Sequence, residues 1–157
     1  MTRLRGRSER GARVYDHAPA GHWGTMTMIS SIRLDGSTAC MTVAGATDTE
    51  VFQAYVQFVL LPTLRPGDLV VLDNLAPHKD SAAIRLIEHA GATVCFLPPY
   101  SPDFNPIEKM WSKVKAWLRT EKARTHETLS TAIAKSLAQV TPSDARNWFA
   151  SCGYSFI

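Results

Sequence analysis

The chain has 157 residues, 45% hydrophobic and 20% charged, a length and balance that suit one soluble globular domain with a real core. No apolar stretch is long enough to cross a membrane, and no apolar region follows the Arg-rich start as in a signal peptide, so a cytoplasmic location is expected. The net charge of +3 is unevenly spread: residues 1–13 carry five arginines against Glu9 (net +4), and residues 109–124 carry six basic residues against Glu121 (net +5). Two basic patches on a nearly neutral body suit a polyanion partner as well as they suit solvated surfaces. Cys40, Cys95 and Cys152 have no metal-ligand spacing and read as buried free thiols, and the scattered histidines form no zinc-type cluster.

In chain order, residues 1–22 are polar, rich in Arg and Gly, and read as an arm. Residues 24–34 and 38–45 suit two strands joined by the turn signal Asp35-Gly36-Ser37. Thr47 and Glu50 have capping-box spacing ahead of a helical pattern through Val51, Phe52, Tyr55, Val56, Val59 and Leu60, ended by Pro62 or Pro66. Residues 69–73 are a continuous apolar run, as in a strand buried on both faces. A helix over about 79–90, with Ala83, Ile84 and Ile87 inward and Gly91 as its stop, leads to a short strand at 93–97. A Pro-rich loop, 98–106, delivers the chain to a helix near 106–122. Two more helices start near Thr125 and Thr141. Strand–helix–strand order implies a parallel region, and the opening hairpin adds an antiparallel pair. The fold class is a mixed α/β sheet with flanking helices.

Two carboxylates stand out. Asp73 closes the apolar run, at the sheet edge where open α/β folds bind ligands, although an Asp after a strand also starts turns. Glu108 follows after 34 intervening residues. Asn105, Pro106 and Glu108 fit the cap, first and third positions of a helix, so Glu108 also reads as a capping-box residue. At 100° per residue, Ile107, Met110, Trp111, Val114, Trp117 and Leu118 form one apolar face, and Glu108 aligns instead with Ser112, Lys115 and Arg119. A metal-binding carboxylate beside cations suits phosphodiester chemistry; surface pairing along the helix explains the same pattern. His78, Tyr100 and Asn105 are further candidates for the same cleft.

The string Val70-Val71-Leu72-Asp73-Asn74 with His78, then Leu97-Pro98-Pro99-Tyr100-Ser101-Pro102-Asp103-Phe104-Asn105-Pro106-Ile107-Glu108, resembles bacterial insertion-sequence transposases of the mariner-related DDE superfamily. The resemblance runs from the Arg-rich start to about residue 124. It implies a ribonuclease H-like fold and two divalent ions, Mg2+ or Mn2+, on an Asp, Asp, Glu triad. The reaction it implies is metal-dependent cleavage and strand transfer on double-stranded DNA, by a homo-oligomer or with a partner transposase chain. Asp73 and Glu108 are then the second and third carboxylates, catalytic and metal-binding. Arg3, Arg5, Arg7, His78, Lys115 and Arg119 become candidate DNA contacts.

The chain departs from the family at its start. The family's first Asp ends a central strand ahead of an Arg-rich segment, and this chain begins inside such a segment. Asp16, Asp35 and Asp48 follow no apolar strand. The expectation is one catalytic domain over residues 1–157, incomplete at the N-terminus, its first central strand missing, and weak or inactive alone. The alternative is a non-catalytic subunit that binds DNA or a full-length transposase. A third reading, an unrelated metal-dependent nuclease of the same fold, predicts cleavage without strand transfer.

Overall fold

The computed structural model describes residues 6–15, 24–123 and 125–155. Arg3, Arg5 and Asp16 lie outside the described residues. The first described segment, 6–15, is exposed and contains neither helix nor strand. Strands β1 (Met26–Ile32) and β2 (Thr38–Ala44) pair antiparallel, from Met26 opposite Ala44 to Ile32 opposite Thr38. Asp35 Oδ1 accepts from the Ser37 amide (2.9 Å) and hydroxyl (2.6 Å), which sets the turn. Gly36 has φ +84° there, and a Cβ on it would meet the Pro142 nitrogen at 2.8 Å.

Helix α1 (Thr49–Tyr55) starts one residue later than the Thr47–Glu50 spacing predicts, because Asp48 is the cap and its side chain accepts from Val51 N–H. Pro62 does not cut the helix at once. The chain widens into a π-turn over Val56–Leu60 and tightens into a 3-10 turn over Leu61–Thr63 before Leu64 extends. Leu61 N–H donates to Val56 O, a register that leaves no role for the amide Pro62 lacks.

Strands β3 (Leu69–Leu72) and β4 (Thr93–Phe96) run parallel, from Leu69 opposite Thr93 to Leu72 opposite Phe96, and α2 (Ser81–His89) connects them. Gly91 ends that connection at φ +80°, and a Cβ there would press on Pro66 at 3.2 Å. The polypeptide then forms α3 (Pro106–Glu121), α4 (His126–Leu137) and α5 (Pro142–Ser151). Thr125 with Thr128, and Thr141 with Asp144, close reciprocal caps at the last two. No described helix is long and apolar enough to cross a membrane.

The α/β class holds, with one correction. Among the described residues, four strands form two separate two-stranded sheets, not one mixed sheet. The expected two-sided burial of residues 69–73 fails for the same reason: Leu69 is 61% exposed and Phe96 36%, because strands that lack a second neighbour leave apolar side chains uncovered. The thiols also differ from expectation. Only Cys152 is buried, while Cys40 is half-buried and Cys95 exposed.

Two cores form. One gathers Phe52, Tyr55, Val56, Leu60, Ala83, Ile87 and Ala92, with Ile29, Val70 and Leu72 packed against it. The other gathers Met110, Val114, Leu118, Ala132, Ile133 and Val140, with Met26, Met28 and Ile32 against it. Strand β1 therefore serves both, its odd residues facing the first and its even residues the second, as the two-residue period of a strand requires.

Candidate active site

Asp73 follows β3 directly. Its Oδ1 accepts from Leu75 N–H at 3.0 Å, so the predicted turn is real. The same oxygen lies 2.6 Å from His78 Nδ1, a close contact without the geometry of a directed hydrogen bond. His78 packs against Phe52 with ring centroids 4.5 Å apart and planes tilted by 42°. It is thus held at the carboxylate by a 3-10 turn, Ala76–Lys79, and an aromatic floor. Asn74 ties the end of β3 to β4 through Nδ2–H to Leu97 O at 2.5 Å. The Asp73 backbone is therefore fixed to both strands of its sheet.

Glu108 stands in the first turn of α3. Asn105 caps that helix as predicted, its side chain accepting from Ile107 N–H at 3.4 Å. The capping box does not close. Asn105 N–H donates instead to Pro102 O at 3.0 Å, inside a 3-10 turn over Pro102–Phe104. The backbone donor that a capping Glu would serve is already satisfied, and the exposed Glu108 carboxylate makes no hydrogen bond to the described residues. The prolines of this loop thus do more than extend it, since Pro102 opens that turn.

Asp73, His78, Asn105 and Glu108 line one cavity of about 740 Å³, walled by β1, β3, Phe52, Tyr55, Ile107 and Trp111. Glu108 also borders a shallower cleft with Pro102, Asp103, Lys109, Ser112 and Trp148. Tyr100 does not join the cavity as expected. It projects fully into solvent at φ +56°.

A model of the family described as DDE superfamily endonuclease matches residues 1–130. The chain belongs to this family. No curated protein matches the chain. For a DDE superfamily endonuclease the donor set can be tested directly. Among the described residues, no hydrogen bond or ion pair engages Asp73 Oδ2 or the Glu108 carboxylate, and both residues line one cavity. That fits a single oxygen-seeking divalent ion, which needs only one or two carboxylates and keeps several waters. Among the described residues, no three His, Cys, Asp or Glu side chains gather into a metal-binding group, so the triad the resemblance implies is not assembled by them.

The basic residues are only partly available. Arg7, Arg10 and Arg13 are exposed in the arm. Lys115 is exposed and Arg119 half-exposed on α3, at helical spacing from Glu108. Lys113, counted in the basic patch by sequence, is neutralised: its Nζ donates to Asp144 Oδ2 at 2.6 Å and to Gln139 O at 2.7 Å. That ion pair, with Thr141, holds the Asp144 carboxyl down at about 2.

Sequence reasoning also missed the far wall. Phe149 and Tyr154 line the cavity, and the Tyr154 hydroxyl donates to Phe104 O at 3.1 Å, fixing the loop ahead of Glu108. A Tyr near a chain end gives no local signal of such a contact.

Proposed function

We propose that the chain is the catalytic domain of an insertion-sequence transposase, built on a ribonuclease H-like scaffold, that cleaves and joins DNA. The observation that carries this reading is the released Glu108. Local capping would explain that carboxylate, yet Asn105 N–H is taken by Pro102 O, and Glu108 lines the same cavity as Asp73. Asp73 Oδ1 accepts from Leu75 N–H with His78 beside it, and Glu108 lines the same cavity. Together they would hold a divalent cation, Mg2+ or Mn2+. When bound, such an ion supplies Lewis-acid stabilisation of a phosphodiester and an activated water. Lys115, Arg119 and the arginines of the arm, Arg3, Arg5 and Arg7, then hold the DNA backbone. His78, beside the Asp73 carboxylate on the same cavity, is the further candidate contact to a phosphate.

The test is nicking of supercoiled plasmid with Mg2+ or Mn2+, alongside Mn2+ broadening of the Asp73 and Glu108 resonances. Asp73→Asn and Glu108→Gln are each expected to lower nicking by roughly 100-fold or more and to abolish the broadening. Nicking that survives unchanged in either variant removes that residue from the mechanism.

A second reading, a non-catalytic subunit that binds DNA or a transposase chain, draws on the same site. Of the other carboxylates on the cavity, Asp35 is taken by its turn and Asp68 by Arg33, and no three acidic, His or Cys side chains gather into a metal-binding group among the described residues. It predicts steeply salt-dependent DNA binding with no metal-dependent nicking.

A further inference from the structure

We infer that Tyr154 is a positioning residue that keeps the Glu108 carboxylate out of its own helix cap and so available to the cavity. The device is a single peptide unit. Phe104 C=O and Asn105 N–H belong to the same trans peptide, so they point in opposite directions. The Tyr154 hydroxyl donates to Phe104 O at 3.1 Å, and Asn105 N–H donates to Pro102 O at 3.0 Å. That peptide plane is therefore pinned at both ends.

Asn105 N–H decides where Glu108 goes. Asn105 caps α3, and Glu108 stands three residues on, the position from which a Glu reaches back to the cap amide. A free cap amide at the positive end of a helix draws such a carboxylate. With Pro102 O on the amide, the carboxylate has nothing to return to. Two states thus compete for one N–H: the Pro102 turn with Glu108 released, and a closed capping box with Glu108 withdrawn. The bond from Tyr154 exists only while Phe104 O faces it, so it favours the first state.

Little else holds the loop in that state. Among the described residues, the other hydrogen bonds made by residues 98–105 are local, such as Phe104 N–H to Ser101 O at 3.2 Å. Tyr100, Asp103 and Phe104 are exposed, so packing adds little before the buried Pro106. Tyr154, by contrast, is tied back to the body. Its N–H donates to Phe149 O at 3.1 Å, its ring meets that of Phe149 edge-on, and the Lys113–Asp144 ion pair joins α5 to α3. Burial raises the Tyr154 phenol above its ordinary value of 10, so it stays a donor at neutral pH. Tyr154 also lies beyond residues 1–130, outside the region shared with the family.

Metal capture at Glu108 rests on the nuclease reading, whereas the exchange of the cap rests on backbone geometry alone, so the two fail separately. The variant is Tyr154→Phe, which deletes the hydroxyl and keeps the ring on Phe149. In the full chain, the Asn105 amide shift is followed by NMR from about pH 3 to 6, where carboxyls titrate. In the wild type it is expected to stay flat. In Tyr154→Phe it is expected to follow a carboxyl titration that disappears in Tyr154→Phe/Glu108→Gln, which separates Glu108 from nearby Asp103. Mn2+ broadening at Glu108 and the kcat of plasmid nicking are expected to fall about fivefold in Tyr154→Phe, while KM holds. A tyrosine that served packing alone would leave the Asn105 amide flat in every variant. An amide that titrates in the wild type, stays flat in Tyr154→Phe, or titrates equally in the double variant overturns the proposal. So does a titrating amide with unchanged Mn2+ broadening and kcat. The wild-type arm needs no variant, so it decides even where a substitution unfolds the chain. Absence of nicking in the wild type removes the nuclease reading and leaves the amide result to decide the cap exchange.

Discussion

The helices after residue 105 and the strands before it carry similar apolar residues to different ends. Met110 and Val114 are completely buried among helices, whereas Leu69 and Phe96, on strands, remain in solvent. The difference is one of backbone chemistry. A helix satisfies its own N–H and C=O groups and needs a partner for only one face. A strand needs neighbours on both edges, and among the described residues each sheet has two strands. The helical region therefore closes its core, while the strand region leaves a slot.

The largest test of that contrast pairs two truncations. Met110→Ala empties a site with no exposure and is expected to cost about 2–5 kcal/mol in urea unfolding. Leu69→Ala, on the exposed end of β3, is expected to stay within about 0.5 kcal/mol. Equal losses would mean that β3 is covered in solution. Next in size, Thr141→Ala breaks the reciprocal cap with Asp144 that starts α5 and is expected to cost about 1 kcal/mol by the same measurement.

Arg33→Ala is expected to cost less, up to about 1 kcal/mol, since the ion pair it breaks is partly exposed. Acid titration sharpens this. The Arg33 guanidinium beside Asp68 lowers that carboxyl from its ordinary 3.8 to about 2. A carboxyl that binds protons less readily when folded stabilises fully above its unfolded value and loses that effect as pH falls through the folded one. Wild-type stability should therefore drop between pH 3.8 and about 2 more steeply than that of Arg33→Ala, followed by circular dichroism. Parallel curves would show that the pair contributes nothing.

Much of this was legible in the sequence because it depends on local rules. Asp35-Gly36-Ser37 makes its turn, Asn105 and Thr141 cap their helices, and Val70 to Leu72 extend as expected. The failures occur where a long-range partner or a competing local bond intervenes. Glu108 read as a capping residue as well as a metal-binding one, and the Pro102 turn takes the donor that the cap would need. Lys113 counted toward a basic surface until Asp144, 31 residues away, paired with it. The placement of Asp73 and Glu108 on one cavity depends on how the β3 end and the α3 start come together, which no spacing specifies.

The contact from Tyr154 to Phe104 has a consequence for where this protein can be cut. Similarity to the DDE superfamily endonucleases ends at residue 130, and a boundary drawn there looks natural. Yet Phe149 and Tyr154, their rings 5.4 Å apart, wall the cavity and brace the loop that leads to Glu108. The recognisable family region and the physical unit are therefore different lengths of chain, and shortening the protein to its recognisable part would loosen the approach to its own site.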